Sequence, residues 1–182
     1  GNVAIAAYGL LNRLLHFAFM PLLGFSQALQ PVAGFNYGAR RFDMAKLALR
    51  TSNLRSTIFA TGAFVVLIVF ARQLIQLFTR DLELIELSVP ALRIIALAFP
   101  VVGIQMMGAT MFLALGRAGP ALFLTLSRQI IFLIPLVLTL PLVMGLNGVF
   151  AAFPVADVLA TAVTVIMLVR EFARLSRMKE TL

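Results

Sequence analysis

Five long apolar runs, divided by short polar breaks, constrain this chain more than any other feature. They cover about 3–34, 56–78, 87–115, 120–143 and 147–169. Runs of roughly 20 or more apolar residues, wound as helices, match the thickness of a bilayer's hydrocarbon core. None shows the period-two alternation of a barrel strand. In hydrocarbon every backbone N–H and C=O must be satisfied within the protein, and helices do this locally. The sequence therefore predicts an all-α integral membrane fold with five transmembrane helices. Of the 182 residues, 62% are apolar and 12% charged, against about 25% charged in soluble domains. The chain divides into a membrane domain over 1–172 and a basic tail over 173–182.

The breaks set an orientation. The stretch 36–55, read as a loop, holds Arg40, Arg41, Lys46, Arg50 and Arg55 against Asp43 alone. The next holds Arg72 and Arg80 against Asp81, Glu83 and Glu86. The third carries only Arg117, and the fourth, around Gly145 to Gly148, is uncharged. The tail holds Arg170, Arg174, Arg177 and Lys179 against Glu171 and Glu180. By the positive-inside rule the first and third breaks and the C-terminus are cytoplasmic, and Gly1 is outside. A chain that starts outside with Gly1, without a signal peptide, is expected to be a fragment lacking upstream helices. The net charge of +8 is thus a topology and headgroup signal. It does not mark a nucleic-acid surface, because no basic patch alternates with stacking aromatics.

The absence of cysteine excludes disulfides, iron–sulfur clusters and thiol catalysis. A single histidine all but excludes a histidine metal centre, and no metal site is assigned. No cofactor is implied, and no enzyme motif or paired intramembrane carboxylates appear.

Polar residues inside spans are costly and so are functional candidates. In the first run, Asn12, His16, Gln27 and Gln30 fall at about 0°, 40°, 60° and 0° around a helix. They form one stripe that should face a cavity or the bundle interior. His16 has two readings, a proton-responsive group or a hydrogen-bonded packing residue. In the last run, Asp157, Thr161 and Thr164 share a face at i, i+4 and i+7. Arg128 lies about 12 Å inside one end of the fourth run, and Asp157 about 14 Å inside the opposite end of the fifth. Across a core about 30 Å thick their heights differ by about 4 Å, so an Asp157–Arg128 ion pair is predicted. It reads either as a structural lock or as a proton- or cation-sensitive switch. Arg93 is expected to snorkel to the outer interface. Pro21, Pro31, Pro90, Pro100, Pro135, Pro141 and Pro154 are expected kink points. Gly24, Gly34, Gly62, Gly103 and Gly108 are expected close-packing positions.

Several segments together resemble the multidrug and toxic compound extrusion (MATE) family. They are Ala6-Ala7-Tyr8-Gly9 with Arg13, and Met20-Pro21 with Gly24. Gln30-Pro31 followed by Gly34-Phe35-Asn36-Tyr37-Gly38-Ala39 is the most specific. Leu115-Gly116-Arg117-Ala118, Ser127-Arg128-Gln129, Gly145 with Gly148-Val149, and Pro154 with Asp157 complete the set. The resemblance implies helices eight to twelve of a twelve-helix transporter, most of its C-terminal six-helix lobe. It implies secondary active export of small cationic, amphipathic compounds in exchange for Na⁺ or H⁺. The setting would be a bacterial inner membrane, with lipid and a missing N-terminal lobe as partners. Some members carry a sodium-linked carboxylate in the helix matching 87–115, a run that has no Asp or Glu here, so no cation site is carried over. Phe and Met residues could line a drug cleft. A lipid-linked oligosaccharide flippase of the same superfamily and a non-transporting scaffold are the alternatives.

Overall fold

A computed structural model of the protein describes residues 2–180. Gly1, expected outside the membrane, and Thr181 and Leu182 of the expected tail lie outside the described residues. So do the side chains of Lys179 and Glu180.

The first run becomes one helix, α1 (Asn2–Gly38), with Pro21 and Pro31 carried inside it. A turn of three residues follows, in which Arg40 has φ 58°. Helix α2 (Phe42–Val69) then starts well before the second apolar run. The stretch 36–55 is therefore almost wholly helical, which corrects its reading as a loop. Arg40 and Arg41 lie in the turn, and its other charges ride on an amphipathic first half of α2 that buries Phe42, Ala45 and Leu49. Polarity alone does not end a helix whose other face has something to pack on.

A short helix, α3 (Ala71–Gln76), leads to α4 (Leu82–Ala96). Asp81 caps α4, its carboxylate accepting from the backbone N–H of Glu83 at 3.0 Å. The third run is not one straight helix. It breaks at Leu97 and Ala98 and resumes as α5 (Phe99–Ala114) at an angle of 51°. Pro100 lies in the first turn of α5. Proline has no N–H to donate back across the break and suits a helix start.

The fourth run is α6 (Ala118–Leu126), a π-helical segment (Ser127–Leu133) and α7 (Ile134–Met144) in sequence. The wider π turns run up to Pro135, which cannot donate the next hydrogen bond. Gly116 (φ 71°) and Gly145 (φ 59°) make the turns before and after this span. The last helix, α8 (Leu146–Glu180), includes Pro154 and runs through most of the expected tail. The 173–180 segment is thus helical and buries Leu175 completely.

Among the described residues four helical stretches are long and apolar enough to cross a bilayer, and the bent α4–α5 pair, taken as one span, makes a fifth. Helix α5 is the centre, packing against α1, α2 and α8. Small residues allow these approaches. A Cβ on Gly34 would lie 3.2 Å from the Ala114 carbonyl oxygen, and one on Gly103 3.0 Å from Ser56 Oγ. One on Gly108 would lie 2.2 Å from the Thr164 methyl. Gly24 and Gly62, expected in the same role, have nothing within 4 Å of where a Cβ would stand.

Candidate functional site

A cavity of about 970 Å³ lies between the first half of α1 and the α6–α7 span. Helices α4, α5 and α8 complete its walls. Those walls are mostly apolar and aromatic. Phe19 and Phe99 have ring centroids 5.0 Å apart, and Tyr8 and Phe153 6.2 Å; all four line the space.

Of the first stripe, Asn12 and His16 line this cavity and are exposed to it. Gln27 and Gln30 share the helical face but not the cavity. They lie at least about 16 Å further along α1 than His16, beyond the cavity's length at 1.5 Å per residue. Both are exposed there. Arg13 faces a separate recess of about 310 Å³ beside Phe78.

Arg128 and Asp157 meet at the cavity wall. The guanidinium Nε of Arg128 donates to Asp157 Oδ1. The two partners differ in exposure. The Asp157 residue is only 5% exposed, whereas the Arg128 side chain is 33% exposed. The π-helical segment carries Arg128 and Gln129, and both line the cavity.

Thr161 and Thr164 do not line it. The Thr161 hydroxyl donates to the Asp157 carbonyl at 2.7 Å, and the Thr164 hydroxyl to the Ala160 carbonyl at 2.8 Å. Both are buried between α5 and α8, where the Thr164 methyl covers Gly108. Satisfying a hydroxyl on its own helix frees the methyl for packing. The polar face that starts at Asp157 thus becomes a packing seam below the cavity.

Other polar groups do not follow from helical spacing. Gln105 lines the cavity from α5 and is 7% exposed. It stands alone in an apolar run, and its polarity inside the span was the available signal. Ser26 and Thr110 share a hydrogen bond between α1 and α5. Glu171, counted with the tail, is 4% exposed. It pairs with Arg117 from the α5–α6 turn and with Arg174 at 3.3 Å. Lys46 of α2 donates to Ser176 Oγ at 2.6 Å, so that end of α8 is tied to two neighbours. Arg93 Nε donates to the Ile68 carbonyl at 3.3 Å, joining α4 to α2. Among the described residues no three His, Asp or Glu side chains come together as a metal-ligand set.

Known proteins share both this sequence pattern and this fold. The sequence matches the MatE family over residues 1–139. It is 28% identical over 156 residues to a FAD transporter of Shewanella oneidensis, covering 86% of this chain and 34% of that protein. It is 26% identical over 157 residues to the multidrug export protein MepA of Staphylococcus haemolyticus, again 86% and 34%. The chain thus spans about a third of the length of these relatives. Among solved structures it resembles the MATE multidrug transporter DinF-BH, solved as a complex. The TM-score there is 0.83 with 42% identity, over 90% of this chain and 36% of that one. An outward-facing MATE transporter of the MOP superfamily shares the fold with a TM-score of 0.92 at 21% identity, over 97% of this chain and 40% of that one.

Proposed function

The chain belongs to the MatE family, whose members are multi-pass membrane transporters and not enzymes, and from that premise we propose that it forms most of the C-terminal lobe of a multidrug efflux antiporter. The observation that carries this reading is the cavity. At about 970 Å³ it has the size of a site for a drug-sized molecule, and few polar groups interrupt its apolar walls. Phe19, Tyr8 and Phe153 offer ring surface to flat or cationic compounds, with Phe99 buried behind Phe19. Asn12, His16 and the Arg128–Asp157 pair are among the polar contacts on the transport path. Gln27 and Gln30 lie further along the same face of α1, where an N-terminal lobe would close over it. Thr161 and Thr164 hold α8 against α5 beneath the site.

In this reading the N-terminal lobe supplies the opposite wall, and alternating access exposes the cavity first to one side and then to the other. Exchange against Na⁺ or H⁺ drives export of cationic, amphipathic compounds. The end of the bundle bearing Arg40, Arg41, Arg117 and the C-terminal end of α8 faces the cytoplasm of a bacterial inner membrane, as the positive-inside rule requires.

The test uses the full-length carrier in vesicles, with dye efflux followed under an imposed Na⁺ or H⁺ gradient. One gradient should drive efflux, and Asn12→Leu with His16→Leu should slow it severalfold. If neither gradient moves any aromatic dye cation, the exporter reading fails.

A further inference from the structure

The charge balance of the cavity points to one further feature of the ligand. Arg128 and Asp157 are the only charged side chains lining it among the described residues. They pair with each other, so the wall offers no net negative charge to a simple hydrophobic cation. The pair is also lopsided. Asp157 is turned into the protein, whereas a third of the Arg128 side chain is open to the cavity. Only Nε of Arg128 is engaged. Its two terminal nitrogens, carrying four N–H donors, have no partner among the described residues. Gln129, next along the π-helical segment, adds an amide on the same wall, and Asn12 another from α1.

We propose that the terminal guanidinium nitrogens of Arg128 form a subsite for an oxyanion on the transported molecule, and that the favoured ligands are aromatic compounds bearing a carboxylate. This rests on the cavity's role proposed above. A guanidinium fork binds a carboxylate through two parallel charge-assisted hydrogen bonds. Asp157 is a positioning residue: by holding Nε it fixes the plane of the guanidinium and aims the fork into the cavity. The aromatic walls take the ring body of the same ligand. An anionic lipid headgroup shares the oxyanion but has no ring system for those walls, so the aromatic carboxylate is the better fit.

The experiment measures dye binding to the full-length protein by fluorescence polarisation, in detergent with phosphatidylcholine. The probes are a matched pair of aromatic dye cations, one with a free carboxylate and the other its ethyl ester. The wild type should bind the acid at least about tenfold more tightly than the ester, the gain expected of a charge-assisted pair. In Arg128→Lys, which keeps the charge and loses the fork, that ratio should fall severalfold. In Arg128→Gln with Asp157→Asn it should approach one. The ratio is read within each variant, so a general loss of affinity does not mimic the effect. Equal binding of acid and ester by the wild type, with efflux intact, overturns the subsite and leaves the exporter standing. Binding of neither dye overturns both. Displacement of the acid by phosphatidylglycerol in the wild type but not in the double variant assigns the oxyanion to lipid, and overturns the carboxylate ligand.

Discussion

Gly108 gives the sharpest test of how this bundle is held together. A methyl added there would sit 2.2 Å from Thr164 Cγ2 and 3.2 Å from Leu168 Cδ1. Thr164 is fully buried and its hydroxyl is tied to the Ala160 carbonyl, so it cannot swing aside without losing that bond. Overpacking a core costs up to about 3 kcal/mol, and the overlap here belongs at that end. Alanine regains about 1 kcal/mol of helix propensity over glycine. Gly108→Ala should therefore destabilise by about 2 kcal/mol, lowering the melting temperature by about 4–8 °C for a domain of this size. Thr164→Ser removes the clashing methyl and keeps the hydroxyl. Alone it should cost about 1 kcal/mol for the lost buried methyl. Combined with Gly108→Ala it should give a protein more stable than Gly108→Ala alone, a coupling of at least about 1 kcal/mol. Thermal unfolding in detergent, followed by circular dichroism and by size-exclusion recovery, reads all four proteins. Strict additivity of the two substitutions, or a wild-type melting point for Gly108→Ala, would refute direct contact between α5 and α8 at this position.

Three further predictions concern other contacts. Arg128→Leu strands the buried Asp157 carboxylate and should cost about 3–5 kcal/mol. Asp157→Leu frees a guanidinium already open to the cavity and should cost less than about 2 kcal/mol. The double leucine variant should recover most of the loss, and unfolding midpoints of the set decide. Gly148→Ala brings a methyl within 2.5 Å of the Leu140 carbonyl oxygen; since that neighbour is backbone, no side-chain truncation should rescue it, and the yield of monodisperse protein should drop. Arg117→Ala and Arg174→Ala should each be mild, because Glu171 keeps one partner. Together they leave a buried carboxylate unpaired, so their combined loss in melting temperature should exceed the sum of the singles.

Much of the secondary structure was legible because lipid makes it a local problem. A backbone in hydrocarbon satisfies itself within its own helix, so the length of an apolar run reveals a span without knowledge of its neighbours. The same locality explains the juxtaposition of Arg128 and Asp157, since rise per residue sets depth. The reading erred where a helix depends on a partner. The basic half of α2 is helical because Phe42, Ala45 and Leu49 pack on the bundle, and charge counting saw only the exposed face. The tail, for which the sequence reading named no secondary structure, continues α8 to Glu180, with Leu175 buried among those residues.

Prolines marked weak points but not their outcome. Pro21 and Pro31 stay inside α1, while α4 and α5 part just before Pro100, and a π segment leads to Pro135. Which of these resolves as a bend, a bulge or nothing depends on the helices alongside. The stripe on α1 has the same limit. Helical spacing put Asn12, His16, Gln27 and Gln30 on one face, but only the path of α6–α7 makes a cavity beside the first two. Thr161 and Thr164 shared a face with Asp157, and the closeness of α5 at Gly108 turned that face into a packing seam. By itself the sequence determined that this chain is built of helices long and apolar enough to cross a membrane, and how far along its helix each polar group sits. Tertiary structure decided which faces are filled and which are left open, because packing joins residues whose proximity no local periodicity encodes.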